Sequence, residues 1–388
     1  VGHPGDLHQA GRDTGQIPGL GDYQPEAQDV ARAQVPQNPA PGHAAAAVSY
    51  DDAAIAADVL AKADLRGIDS HGVARLRTYV DMFGIGRINP KPNIRLVRDK
   101  KSVGTVDGDS GLGLVVGPKA NEIAMDKAAH FGSGWVSVCN TNHYGIASWY
   151  SLKALERDMI GWSMTNTSRT VVPVWGGERR LGTNPISIAF PGLTNPPIVI
   201  DLSTSVVAFG KIEIAQRAGA QLPVGWIVDA EGKASTDPAD VYTGGLLPLG
   251  STRELGAHKG YCLSAMVDIL TAVLSGANWG PFVPPFALFE EVPDQTVGKG
   301  IGHFFGAMEI DGFEDVTVFK KRIDHWIEVF RNTKPSPGHT AVLIPGDPEH
   351  ETAMVRSRQG IPLVEPVVKD LAEVSKLTGI NFDVGDPS

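Results

Sequence analysis

His71, Arg75 and Tyr79 recur at four-residue intervals, the spacing that places side chains on one face of a helix. Val73, Leu76, Val80 and Phe83 form an apolar stripe beside them, Ser70 is positioned to cap the start, and Gly84 and Gly86 punctuate the end. The pattern predicts a helix with His71 in its first turn. Such a face can hold a carboxylate: arginine offers a planar fork, a helix start offers free N–H groups, and a histidine exchanges protons near neutral pH. The plainer reading is a solvated face on which Arg75 pairs with a surface acid.

A second group is Asn140-Thr141-Asn142-His143-Tyr144-Gly145, between a predicted strand at Trp135 to Cys139 and a predicted helix at Ala147 to Met159. Loops that follow strands face the ligand crevice in α/β proteins, which suits His143 to acid–base work, although Asn and Gly clusters also mark turns without chemistry. Two glycine turns are shaped to approach phosphates, Leu181-Gly182-Thr183-Asn184-Pro185 before a strand and Gly256-Ala257-His258-Lys259-Gly260-Tyr261 at a helix start. Each reads equally as ordinary turn chemistry. Gly108-Asp109-Ser110-Gly111-Leu112-Gly113 precedes a helix but lacks both the G-x-G-x-x-G order and the distal acid of a Rossmann fingerprint, and no P-loop occurs. No metal-ligand motif is present; His71, His143 and Asp201 are the only candidates to converge on an ion, and no metal is expected.

The elements that must carry these residues alternate between helix and strand. Ser49 with Asp52 forms a capping pattern for a helix closed by Gly67, Pro118 opens a helix that stops at Gly132, and strands are expected at Ile186 to Phe190, Ile198 to Ile200 and Trp226 to Val228. Further helices are expected at His258 to Leu274, Asp315 to Asn332, Glu349 to Gln359 and Val367 to Leu377. The class is therefore α/β or α+β. With 388 residues the chain has room for two domains. Lys and Arg total 34 against 44 for Asp and Glu, a net charge of −10 that gives no general attraction to nucleic acid or anionic membranes. Cys139 and Cys262 lack any CxxC spacing, which fits a reducing cytoplasm, and Tyr261 to Leu274 is too short to span a bilayer. Residues 1–47, rich in Gly, Pro, Gln and Ala, read as a poorly packed segment.

Taken in order, ADLRGIDSHGVARL, DGDSGLGLVVG, NTNHYGIASWY, GGERRLGTNPISIAFP, VIDLSTS, GAHKGYCLSAMVDIL and IPGDPEHETAMVRSRQGIPL resemble the malate/L-lactate dehydrogenase family, which also holds ureidoglycolate, sulfolactate and diketogulonate dehydrogenases. The resemblance covers about residues 50–365. It implies a non-Rossmann fold with a helical substrate domain, residues 48–95 plus 258–388, and a mixed-sheet NAD(P)-binding domain, residues 96–257. It implies a homodimer that interconverts a small 2-hydroxy acid and its 2-oxo acid, malate or lactate first, with NAD the expected cofactor and NADP the alternative. Sulfolactate, ureidoglycolate, diketogulonate and cyclic imino acids are the other substrates of the family. A metal-dependent hydrolase and a non-catalytic nucleotide-binding protein are the rival classes.

The same resemblance implies the site. His71 and His143 are proton donor and acceptor, with the order between them open, and Ser70 bonds in the same site. Arg75 grips the substrate carboxylate, Tyr79 lines the pocket and Asn184 contacts substrate. Ser168, Thr183, Asp201, Leu202, Ser203, Lys259, Gly260, Gly346 and Asp347 are the cofactor residues. Members often carry Gly-Tyr-Gly where this chain has Gly260-Tyr261-Cys262, Pro-Gly-Glu where it has Pro345-Gly346-Asp347, and an apolar helix where residues 1–47 stand.

Overall fold

The computed structural model describes residues 48–381 apart from Phe289; the segment 1–47 lies outside the described residues. In chain order the elements are α1 (Tyr50–Leu65), α2 (Leu76–Gly84), β1 (Arg95–Lys100), β2 (Val103–Gly111), α3 (Gly113–Phe131), β3 (Ser133–Thr141), α4 (Ala147–Leu155), β4 (Met159–Thr165), β5 (Ile186–Phe190) and β6 (Ile198–Leu202). Then follow α5 (Phe209–Arg217), β7 (Ile227–Val228), β8 (Ala234–Ser235), β9 (Gly245–Leu246), α6 (Ala257–Asp268), β10 (Ile301–Glu309), α7 (Val316–Arg331), α8 (Asp347–Gln359) and α9 (Glu365–Thr378).

Seven strands form one sheet in the order β1-β2-β3-β10-β4-β5-β6. Only β2 and β3 run parallel; every other neighbouring pair is antiparallel. This is a mixed sheet, not a doubly wound parallel one, which agrees with the missing Rossmann fingerprint. β10 lies at its centre. Gly306 permits this placement, because a Cβ there would sit 2.3 Å from the ring of Trp135 on β3. α3 crosses β3 and β10, and α4 crosses β4 and β5. The largest core gathers Val59, Leu60, Tyr79, Met82, Leu114, Val116, Val136, Val138, Tyr150 and Phe305, joining α1 to α4 with the sheet. Each such aliphatic side chain contributes roughly 1.5–3 kcal/mol on burial. A smaller core of Val171, Leu181, Val207, Ile212, Leu222, Ile227, Val241 and Leu246 unites α5 with a three-stranded sheet, β8-β7-β9.

Most helix limits follow their capping residues. Ser49 accepts the Asp52 N–H at 3.2 Å, Asp315 accepts the Val318 N–H at 2.9 Å, and Gly132 closes α3 at φ 81°. Several expectations are corrected. The helix expected to begin near His71 is two 3₁₀ turns, Asp69–His71 and Val73–Arg75, broken at Gly72, and α2 starts only at Leu76. Ser70 therefore caps no α-helix. α3 starts at Gly113, with Pro118 inside it. Glycine is needed there, since a Cβ would lie 2.2 Å from the Asn142 carbonyl oxygen. α4 stops at Leu155, and Asp158 turns at φ 57° into β4. α6 ends at Asp268 and continues as a π-turn over Ile269–Val273.

Candidate active site

The two 3₁₀ turns after α1 carry Ser70, His71 and Arg75, α2 carries Tyr79, and the loop from β3 to α4 carries His143. The structure brings all five together. The imidazole rings of His71 and His143 stack with centroids 5.6 Å apart. The Tyr79 hydroxyl lies 2.7 Å from His143 Nδ1, and the Gly145 N–H points at the same nitrogen at 3.3 Å. A backbone N–H can only donate, so Nδ1 accepts and neutral His143 holds its proton on Nε2. The Ser70 hydroxyl engages His71 Nδ1 at 2.9 Å. Both Nδ1 atoms are thus occupied, and the two Nε2 atoms remain for a ligand.

Arg75 donates from Nε to the Ser70 carbonyl at 2.5 Å and lies over Phe286, its guanidinium carbon 5.4 Å from the ring centre. Among the described residues no carboxylate pairs with it. Phe286, which no motif announced, also covers His143 at 4.6 Å and meets Tyr79 edge-on at 5.7 Å. A stack behind His143 holds the loop: Tyr144 lies 4.7 Å from Tyr150 on one side and 4.6 Å from His303 on the other. The Tyr150 hydroxyl donates to the Tyr144 carbonyl at 2.6 Å.

Electrostatics follow from this enclosure. Burial, then the Arg75 charge, holds the His71 imidazole down at about 4. Burial, then His71, Arg75 and His303, keeps His143 well below the ordinary histidine range. Burial pushes the Tyr79 phenol upward. At neutral pH the site therefore presents two neutral imidazoles beside one unpaired cation. An incoming carboxylate would neutralise Arg75 and raise both histidines toward a pH at which they exchange protons.

The residues expected to hold a cofactor gather along β5 and β6. Thr183 donates its N–H to Thr167 Oγ1 at 2.9 Å, next to Ser168 in sequence, and its carbonyl accepts from the Thr204 N–H at 2.8 Å, just after Asp201-Leu202-Ser203. Pro345 accepts the Val199 N–H at 2.9 Å, which lays Gly346 along β6; Gly346 takes φ 97° at the start of α8. Leu249 donates to the Thr204 carbonyl at 2.9 Å and packs on Gly260, tying the Lys259 end of α6 to the same edge. Gly260 is required by packing, as a Cβ would approach the Leu249 carbonyl oxygen to 2.3 Å.

Asp201 stands on β6 beside the start of α4. Solvent reaches its side chain, yet desolvation raises its carboxyl above the usual range while the Ser148 N–H, at 3.0 Å, and the Arg66 charge pull it back. Arg66 stands inside the ADLRGIDSHG stretch, where neither spacing nor periodicity marks it; its Nε is buried with no hydrogen-bond partner. A carboxylate that can accept from hydroxyls, an unsatisfied guanidinium nitrogen and a positive-φ glycine at a helix start, both able to donate, form a polar set that fits the ribose and phosphate groups of a dinucleotide.

Two predicted residues have their groups engaged elsewhere. Asn184 is fully buried, accepting the Thr167 N–H at 3.1 Å and donating to the Ser264 carbonyl at 3.1 Å. Asp347 pairs with Arg331 at 2.8 Å and accepts the Ile344 N–H at 3.1 Å. Among the described residues no group of three His, Cys, Asp or Glu side chains is arranged to hold a metal, and no helix is long and apolar enough to cross a membrane.

The profile of the malate/L-lactate dehydrogenase family matches residues 43–372. Malate dehydrogenase of Pyrococcus horikoshii is 42% identical over 335 residues, covering 86% of this chain and 91% of that protein. L-sulfolactate dehydrogenase of Methanocaldococcus jannaschii is 38% identical over 336 residues, covering 87% and 93%. The solved malate dehydrogenase of Entamoeba histolytica superposes with a TM-score of 0.83 at 31% identity, covering 92% of this chain and 97% of the other. With the mixed sheet and the paired histidines already in place, these likenesses show that the chain belongs to the malate/L-lactate dehydrogenase family and is a hydroxy-acid dehydrogenase.

Proposed function

We propose that the enzyme interconverts malate and oxaloacetate with NAD, lactate and pyruvate being the second substrate pair. The observation that carries the reading is the pair of neutral imidazoles, 5.6 Å apart, beside the unpaired Arg75. Arg75, oriented by the Ser70 carbonyl and by Phe286, would clamp the carboxylate next to the reacting carbon. The local geometry favours His71 for the proton. Its Nδ1 faces the Ser70 hydroxyl, which can accept as well as donate, so the ring can be neutral or charged. His143 receives a backbone N–H on Nδ1 and suits a fixed Nε2–H donor that polarises the substrate oxygen where charge develops.

Bound nicotinamide supplies the hydride acceptor in oxidation and the donor in reduction. Ser168, Thr183, Asp201, Leu202, Ser203, Lys259 and Gly346 would hold it, and Arg66 joins them. An acidic Asp201 at that edge suits a free ribose diol better than a 2′-phosphate, which is the reason to prefer NAD over NADP. Malate is preferred because relatives are named for malate and sulfolactate, molecules with an anion at each end.

A homodimer is supported by the face that α6 and its π-turn leave bare, where Tyr261, Ile269, Val273 and Leu274 are exposed. The free thiols of Cys139 and Cys262 fit a reducing cytoplasm. The deciding experiment follows reduced-nicotinamide absorbance with NADH and NADPH against oxaloacetate, pyruvate and sulfopyruvate. Fastest turnover with oxaloacetate and NADH supports the reading; turnover of another pair replaces the substrate or cofactor assignment, and cofactor binding without turnover of any 2-oxo acid refutes it.

A further inference from the structure

Asp64, in the last turn of α1, is 3% exposed, and its carboxylate reaches nine residues along the chain to the break between the two 3₁₀ turns. The Val73 N–H donates to Oδ2 at 2.8 Å. A Cβ on Gly72 would lie 1.8 Å from Oδ1 and 2.1 Å from Cγ, so the carboxyl group lies directly under the glycine. Only a residue without a side chain lets it enter. Gly72 is the single residue between the turn that carries Ser70 and His71 and the turn that carries Arg75.

Further contacts anchor the same acid. The Asp64 carbonyl accepts the Gly67 N–H at 3.0 Å and a bond from Arg356 of α8, and Arg356 also bridges Asp69 at the front of the first turn. In an uninterrupted helix the Val73 N–H would bond a carbonyl one turn earlier; here Asp64 takes it, and the helix breaks. The Ser70 carbonyl is likewise diverted, to Arg75 Nε.

The geometry points to Asp64 as the positioning residue of the substrate site: its carboxylate, admitted by Gly72, sets the angle between the turn that carries His71 and the turn that carries Arg75. The inference rests on the reading of His71 as proton carrier and Arg75 as carboxylate clamp, and it names what fixes them relative to each other. Fold stability is a poor account of this acid. Burial pushes its carboxyl up to about 7, with Asp69 adding to the shift and the Val73 N–H and Arg356 opposing it, so an ionised Asp64 works against folding. A buried acid that folding disfavours, placed between two site-bearing turns, has the character of a functional position.

The test uses the full enzyme with Asp64→Asn, Asp64→Ala, Gly72→Ala and the double variant Asp64→Ala/Gly72→Ala. A misplacement of an ångström in a clamp costs up to about a hundredfold, so Asp64→Ala is expected to lower kcat/KM for the 2-oxo acid by about tenfold or more, through kcat as well as KM, while NADH affinity stays within about twofold. Asp64→Asn, which keeps an oxygen for the Val73 N–H, recovers most of the loss. Gly72→Ala alone is as poor as Asp64→Ala, and the double variant is no worse than Asp64→Ala, because the atoms a Cβ would strike are gone.

Retention of kcat/KM by Asp64→Ala, equal loss of NADH binding and thermal stability, or additive losses in the double variant would each overturn the inference. Should the parent turn over no 2-oxo acid, the functional reading fails separately. The loop is then read by NMR titration of His71, whose pKa moves in Asp64→Ala and is restored in Asp64→Asn if Asp64 sets the turn, and is the same in all three proteins if it does not.

Discussion

Replacing Arg75 by alanine removes two things at once, and the structure assigns a separate readout to each. The first is the proposed carboxylate clamp. Two charge-assisted N–H bonds to a carboxylate contribute about 1.5–3 kcal/mol each, and water recovers part of that in the variant. A net loss of about 3–4 kcal/mol, at 1.4 kcal/mol per tenfold, should lower kcat/KM for the 2-oxo acid roughly 140- to 700-fold. Because the fork would also fix the reacting carbon, KM should rise and kcat fall together. The second is charge. Arg75 depresses His71 and His143, after burial in both cases, so its removal raises both imidazoles. Oxidation of the hydroxy acid needs a neutral base. The acid limb of kcat/KM should therefore lie near the His71 value of about 4 in the parent and move upward in the variant, staying below the ordinary histidine value because burial persists. Steady-state rates from pH 4 upward, with Arg75→Lys as a variant that keeps charge but loses the fork, separate the two effects. An unchanged kcat/KM, or a large loss with an unmoved acid limb, would refute the reasoning.

Tyr79→Phe removes the 2.7 Å bond to His143 Nδ1 and is expected to lower kcat about five- to fiftyfold with a smaller change in KM, measured by steady-state kinetics. Asp201→Asn should raise KM for NADH and narrow the proposed preference for NADH over NADPH; an unchanged ratio of the two kcat/KM values would remove Asp201 from the ribose contact. If the proposed dimer forms through the bare face of the π-turn, Ile269→Asp with Val273→Glu, both residues 54% exposed there, should sediment as a monomer where the parent sediments as a dimer. Stability against pH carries opposed contributions. His71 and His303 are held down at about 4 and about 3, so below pH 6.5 the unfolded chain binds protons the native state refuses and stability falls with pH. Asp64 is raised to about 7, so its contribution is present below 3.8 and lost as pH rises through 7. At pH 5.5 the histidines together take away about 2–3 kcal/mol and Asp64 restores about 2 kcal/mol relative to pH 7.5, on 1.36 kcal/mol per unit. Asp64→Asn should accordingly make urea unfolding about 2 kcal/mol more acid-sensitive across that interval than in the parent.

The three helices after β10 were legible because their ends carry their own chemistry, as with Asp315 before α7 and Gly379 after α9, whereas α5 carries no side-chain cap and gave no signal. The strands that build the sheet were less so. β1 is exposed along its whole length and shows no alternation, β2 is interrupted by glycines, and β10 is apolar on both faces, so neither a period of two nor a turn signal marks them. β10 is recognised as a central strand only when Trp135, 171 residues earlier in the chain, is seen lying over Gly306.

The site shows the same division between local and distant information. The four-residue spacing of His71, Arg75 and Tyr79 predicts one helical face, and the three do share a site, but not through a helix. Gly72 breaks the chain between the first two, and Tyr79 joins them through His143, 64 residues away. The break has a cause in the fold: a helix through Gly72 would leave Asp64 no peptide to bind, and an acid without that partner would stay buried unpaired. Helical periodicity records which residues must face one another, whereas the bend that lets an imidazole and a guanidinium address the same small molecule depends on a contact made from α1. For that reason the composition of the site could be read from the motif, while the angle between its parts could not.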